Sequence, residues 1–178
     1  MLADRDELRP IPEPKDAGHK EVYAFFGFCS YYAQVLEQGV VNLAVGLHGR
    51  GLTDLTGPAV TAAFDQADRR TLGQLLRDVR SRVQIHHETE AGLNQALRDQ
   101  NFLFHRFFVR RDVDFGSNSG RQEMIDELRA MTRRFQDADR RVSAIWIPLW
   151  EALGFTRELM EAEVEKIRDE ARHRDGSG

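Results

Sequence analysis

Three polar residues that could do chemistry, Arg98, Asn101 and His105, lie within a strongly apolar segment of the sequence. A histidine titrates near neutral pH, and an arginine offers a planar fork of donors that suits phosphate or carboxylate. In a helix, Arg98 and His105 come back to within about 20° of each other, and Asn101 lies about 40° further round. The three side chains therefore share one helix face, flanked by Phe102, whereas Asp99 points elsewhere.

The cost of burial limits where these polar groups can lie. Burying each of them without a partner would cost about 1–3 kcal/mol. In one arrangement His105 is a core histidine bonded to a backbone carbonyl, and Arg98 pairs with a glutamate such as Glu37. In the other, the three groups face a wet cleft. The residue pattern alone leaves both arrangements open.

The elements that must position this face are helical. Apolar residues recur at steps of three and four through most of the chain, and no segment has the alternation of a strand. We therefore predict an all-α bundle of four long helices plus one or two short ones. The long helices are expected over 19–47, about 88–111, 119 to about 146, and after 156, and the short ones follow residues 57 and 71.

Capping and breaking residues mark most of the predicted boundaries. Thr71 and Gln74 have the spacing of a capping box, and so do Ser119 and Gln122. Pro148 is expected to kink or end its helix near residue 146. The intervening segment 112–120 is predicted to be a loop. We expect residues 1–18 to form a flexible, Pro-rich arm, residues 19–172 a single helical domain, and residues 173–178 a disordered tail.

The composition excludes several classes of protein. The 178 residues carry a net charge of −4 and a single cysteine, so neither a disulfide framework nor a cysteine-based zinc cluster is expected. No apolar run is long enough for a membrane span, and no secretory signal is recognisable. We expect a cytoplasmic protein without a membrane partner. No metal or cofactor is expected either, because the only Glu-x-x-His pair lies in the charged tail.

Basic charge is concentrated in two short segments. Residues 69–82 hold five arginines and one aspartate, and residues 98–111 hold four arginines and one aspartate. Such segments in an acidic protein could form a phosphate-binding strip, or their arginines could pair with acidic helices on solvated faces. The residues that we assign to RNA or phosphate binding are Arg77, Arg80, Arg106 and Arg110.

The run from Arg98 to His105 (RDQNFLFH) resembles the signature of the HEPN superfamily. That signature is an Arg, a polar residue directly after it and, with four to six residues between the Arg and itself, a His, in the penultimate long helix of a small all-α bundle. Asp99 occupies the polar position. The commoner spacing, Arg-Asn-x3-His, would align Asn101 and His105 and place Gln100 where the arginine should stand. Both registers remain open, although helix geometry favours Arg98.

The resemblance implies a homodimer that brings two such motifs together and binds RNA or a nucleotide. Many members of this superfamily are metal-independent endoribonucleases of toxin–antitoxin or phage-defence systems, so an antitoxin protein is an implied partner. His105 would then act as general base or acid, and Arg98 would stabilise the phosphorane. Asp99 or Asn101 would orient the imidazole or the guanidinium.

Two other function classes fit the same residues. The Phe-rich segment, which holds five of the eleven phenylalanines between residues 102 and 115, could be the interface of a non-catalytic dimeric scaffold protein. Alternatively, Arg98 could hold the anion of a small molecule bound within the bundle. A ribonuclease needs Arg98 and His105 exposed, whereas a scaffold needs only a large apolar interface.

Overall fold

A computed structural model describes residues 8–49 and 57–156, together with 158–159, 162, 165–166, 169 and 172–173. Its described part is all-α, as predicted, and contains no strand. The helices are α1 (His19–Gly49), α2 (Gly57–Asp68), α3 (Leu72–Arg82), α4 (His87–His105), α5 (Phe107–Arg110), α6 (Asp112–Phe115) and α7 (Asn118–Ala152). Most of the predicted final helix and tail lies outside the described residues.

The two longest helices, α1 and α7, pack against each other and run parallel. Contacts between them advance in the same direction: Gly39 faces Asp139, and Gly46 faces Leu149 and Trp150. A Cβ at Gly46 would lie 2.9 Å from both the Leu149 Cδ2 and the Trp150 Nε1 atoms, so a glycine permits this close approach. These two helices supply most of the buried apolar side chains.

The helix that carries the candidate site, α4, runs antiparallel to this pair. Its residues Glu88 and Asp99 contact Arg141 and Arg134 of α7, so the α4 numbering rises as the α7 numbering falls. Leu93, Ala96 and Leu103 of α4 are buried in the core. The position of α4 is therefore set by one apolar face and by polar contacts at its edges.

The predicted ends of the central helices need correction. The helix expected to reach residue 111 ends at His105, and Arg106 interrupts it with a φ of −133° before α5 begins. The expected loop 112–120 instead contains α6 and the start of α7, which is capped by Ser117 rather than Ser119. The capping box of Thr71 and Gln74 is confirmed, with both of its hydrogen bonds formed.

Pro148 does not end its helix near residue 146, and the alternative, a kink there, stays a prediction. Helix α7 continues through Pro148 to Ala152. Trp150, in the last turn of α7, donates a hydrogen bond of 2.9 Å from its Nε1 to the carbonyl of Asn42 on α1. Leu149 beside it is buried. These tertiary contacts hold the last turn, although the proline removes one backbone donor.

The segment before α1 lies along α7. The Arg129 guanidinium is 2.6 Å from a carboxylate oxygen of Glu13, and Arg121 Nε donates to the carbonyl of Ala17 at 2.6 Å. Ile11 of this segment is partly buried and packs against the core. Residues 1–7 of the predicted arm are outside the described part of the chain.

Candidate functional site

Arg98, Asn101 and His105 all lie exposed on the outer face of α4. The opposite face of the same helix carries its buried residues, so the three polar side chains are held at the surface by the packing behind them. The imidazole of His105 forms no hydrogen bond or ion pair with any described residue. The arrangement with a core histidine is therefore wrong, and the exposed arrangement is the one the structure adopts.

The Arg98 guanidinium has a neutral partner. Its Nη2 donates to Gln95 Oε1 at 2.6 Å, one turn back on the same helix. No acidic group of the described residues pairs with it, so the expected ion pair with a glutamate is wrong. Because an amide oxygen carries no net charge, the positive charge of Arg98 stays available for an anion.

Asp99 lies away from the exposed face, in the contact between α4 and α7. Its carboxylate accepts hydrogen bonds from Arg134 Nε at 2.6 Å and from Gln95 Nε2 at 2.9 Å, and the residue is only 7% exposed. Gln95 therefore links Asp99 to Arg98 through the two ends of one amide. The Asp99 carboxylate forms no hydrogen bond with the side chain of Arg98 or His105. The Gln95 amide connects it to the Arg98 guanidinium.

Gln95 is not among the site residues predicted from the sequence, because it precedes the Arg98–His105 run. Its spacing was nevertheless informative: it stands three residues before Arg98 and four before Asp99. Residues at those separations are neighbours on a helix surface. An amide at that point can accept from the arginine and donate to the carboxylate, which fixes the orientation of both.

Replacing Asp99 tests this structural role. We expect Asp99→Ala to lower the free energy of unfolding by about 1–3 kcal/mol, because it leaves the donors of Arg134 and Gln95 without their acceptor. Urea denaturation followed by circular dichroism would measure the change. The matched variant Asn101→Ala, on the exposed face of the same helix, should stay within about 0.5 kcal/mol of the parent chain. Equal losses in the two variants would contradict the assignment.

Gln100 occupies a different side of α4 from Arg98. Its Nε2 donates to Glu37 Oε2 on α1 at 3.2 Å. Burial raises the pKa of Glu37, and this hydrogen bond partly offsets that effect. Glu37 is therefore not the partner of Arg98, which was one of the two predicted arrangements. In the alternative register of the motif, the position of the arginine would face α1 rather than the exposed surface.

The four arginines assigned to phosphate binding fall into two groups. Arg77, Arg106 and Arg110 are exposed and form no ion pair or hydrogen bond through their side chains with the described residues. Arg80 is engaged: its Nε lies 3.2 Å from Glu90 Oε1, and its Nη2 donates to Asn94 Oδ1 at 2.6 Å. Arg80 thus joins α3 to α4, and the other three leave positive charge exposed.

Other reactive groups of the described residues lie apart from this face. Burial raises the pKa of the Cys29 thiol to about 12, despite a hydrogen bond with Thr132 that lowers it, so the thiolate is not accessible near neutral pH. In the described part of the chain, no three His, Cys, Asp or Glu side chains are grouped as metal ligands. The helices described are also too short or too polar to cross a bilayer.

Comparisons of the chain with protein-family models, curated proteins and solved structures find no match. The HEPN resemblance consequently stays a prediction based on the residues from Arg98 to His105.

Proposed function

We propose that this chain is a HEPN-like, homodimeric protein that binds RNA through the outer face of α4 and cleaves it without a metal. The observation that supports the proposal is the shared exposure of Arg98 and His105 on one helix face, where the arginine has no acidic partner among the described residues. A titratable imidazole and an unneutralised guanidinium are the two groups that such a reaction needs.

The surrounding charge supports a phosphate-bearing substrate. Arg106 and Arg110 follow the site along the chain and are exposed without ion pairs among the described residues. Phosphate contacts by arginine supply sequence-independent affinity for nucleic acid, which weakens as salt rises. An exposed surface of this kind suits a flexible single strand better than a small enclosed ligand.

The chemistry proceeds by transfer of two protons. His105 takes the proton of a ribose 2′-hydroxyl, whose oxygen then attacks the adjacent phosphorus. Arg98 stabilises the negative charge that builds up on the phosphorane oxygens. The bond to the 5′-oxygen breaks, and that oxygen takes a proton from the second histidine of the dimer. The products are a 2′,3′-cyclic phosphate and a free 5′-hydroxyl.

Cleavage of RNA in the presence of excess chelator tests the proposal. The wild-type chain should cut a single-stranded RNA and leave a 2′,3′-cyclic phosphate end. His105→Ala should cut it at least about 100-fold more slowly, because the general base is gone. His173→Ala removes a histidine from outside the site and serves as the matched control. Equal rates in wild type and His105→Ala, or no cleavage in either, would refute the catalytic part of the proposal.

A scaffold function is the second candidate, and exposed apolar side chains favour it. Phe104, beside His105, is 44% exposed, and five further large apolar residues are more exposed still. These are Tyr23, Tyr31, Val109, Val113 and Leu159. A second copy of the chain could cover such a surface. In this case the chain would be a dimer by sedimentation, would cut no RNA, and would keep its dimer mass after His105→Ala.

A further inference from the structure

A second, separate basic site lies at the corner between α2 and α3. An open cleft of about 540 Å³ is formed there by the turn that follows α2 and the outer face of α3. That volume falls in the range of small-molecule sites. Its lining residues are Arg69, Arg70, Gln74, Arg77, Asp78 and Ser81. Three of the six are arginines, so the cleft carries a net positive charge.

The one acidic group in the cleft is already neutralised. Arg70 Nη1 donates to Asp78 Oδ2 at 3.1 Å, and Arg82 Nε donates to Asp78 Oδ1 at 3.1 Å. Burial alone would raise the pKa of Asp78, but these two arginines hold it below its usual value. The carboxylate therefore anchors Arg70 and Arg82. Because it is shared between two cations, it does not cancel the charge of the remaining arginines.

Three donor groups in the cleft remain available. Arg69 and Arg77 have no side-chain hydrogen bond or ion pair with the described residues. Gln74 Oε1 accepts from the Thr71 backbone N–H at 2.9 Å in the capping box. That contact fixes the amide and leaves its Nε2, which has no partner of its own among the described residues, as a donor. The capping box that starts α3 thus also orients one wall of the cleft.

From these donors we infer that the cleft binds a phosphate ester. A tetrahedral phosphate group can accept from two guanidinium groups and an amide at once, and arginine is the preferred partner of such an anion. The phosphate can come from a free nucleotide or from the backbone of an RNA strand. Neither Arg98 nor His105 takes part, so the inference does not rest on the proposed function.

Binding measurements on the full chain distinguish the two sources. Isothermal titration with inorganic pyrophosphate and with ATP, and fluorescence anisotropy with a labelled single-stranded RNA, would be run at one fixed salt concentration. We expect the double variant Arg69→Gln/Arg77→Gln to weaken binding about tenfold or more, because charge-assisted hydrogen bonds are lost. The charge-matched control is Arg9→Gln/Arg133→Gln, which alters the segment before α1 and helix α7. It should bind within twofold of wild type.

Each outcome of this experiment bears on the cleft alone. Binding of ATP or pyrophosphate that depends on Arg69 and Arg77 supports a nucleotide source, and RNA binding with the same dependence supports a strand source. Absence of binding to all three probes, or an equal loss in the control variant, would overturn the inference. A chain that cuts no RNA would leave this result unaffected, because neither Arg98 nor His105 lines the cleft.

Discussion

Phe107→Ala is expected to lower the free energy of unfolding by about 3–5 kcal/mol, the range for removing a large aromatic side chain from a packed core. Phe107 is 1% exposed and is the first residue of α5. Its ring lies 5.8 Å from Phe26 of α1, 5.9 Å from Phe102 of α4 and 5.2 Å from Phe108. It therefore joins three helices at the point where α4 ends.

The matched variant for this prediction is Phe104→Ala, which removes the same side chain three residues earlier. Phe104 is 44% exposed, so its loss should cost about 1 kcal/mol or less. Urea or thermal unfolding, with the slope of the urea transition compared between variants, would measure both. Losses of equal size would show that the buried ring of Phe107 does not stabilise the packing of α1, α4 and α5 more than the exposed ring of Phe104 does.

The junction between α4 and α5 shows what the sequence alone can and cannot predict about the fold. The periodic apolar residues and the capping box of Thr71 were sufficient to predict an all-α chain and the start of α3. They could not predict that α4 ends at His105, because residues 106–111 have no glycine or proline and continue the apolar pattern. The break at Arg106 is a tertiary effect: turning the chain there allows Phe107 and Phe108 to pack on Phe26.

At the candidate site, the sequence predicts the features that depend only on the local geometry of one helix. The shared face of Arg98, Asn101 and His105 follows from the helical repeat. Which face points outward depends on the partners of the opposite side, and these lie far along the chain. Arg134, which binds Asp99, is 35 residues away. A single sequence carries no signal that would select this arginine among the 22 in the chain.

The register of the motif decides which variant should slow the proposed RNA cleavage. We expect Arg98→Ala to slow cleavage by about 10²–10³-fold, the cost of removing one group that stabilises transition-state charge. Gln100→Ala should leave the rate within a few-fold of wild type, because Gln100 faces Glu37 of α1. Single-turnover rates with excess chelator would measure both, after circular dichroism has established that each variant is folded.

A conservative variant separates charge from geometry at this position. Arg98→Lys keeps the positive charge but loses the planar fork and the contact geometry with Gln95. Its rate should fall between those of wild type and Arg98→Ala, with RNA affinity close to wild type, since the phosphate still meets a cation. If Gln100→Ala slowed cleavage as much as Arg98→Ala, the arginine of the motif would not be Arg98, and the exposed face would lose its role. We expect instead that Arg98→Ala slows cleavage far more than Gln100→Ala does. Arg98 is exposed and its partner is neutral, so its guanidinium keeps its charge for the substrate.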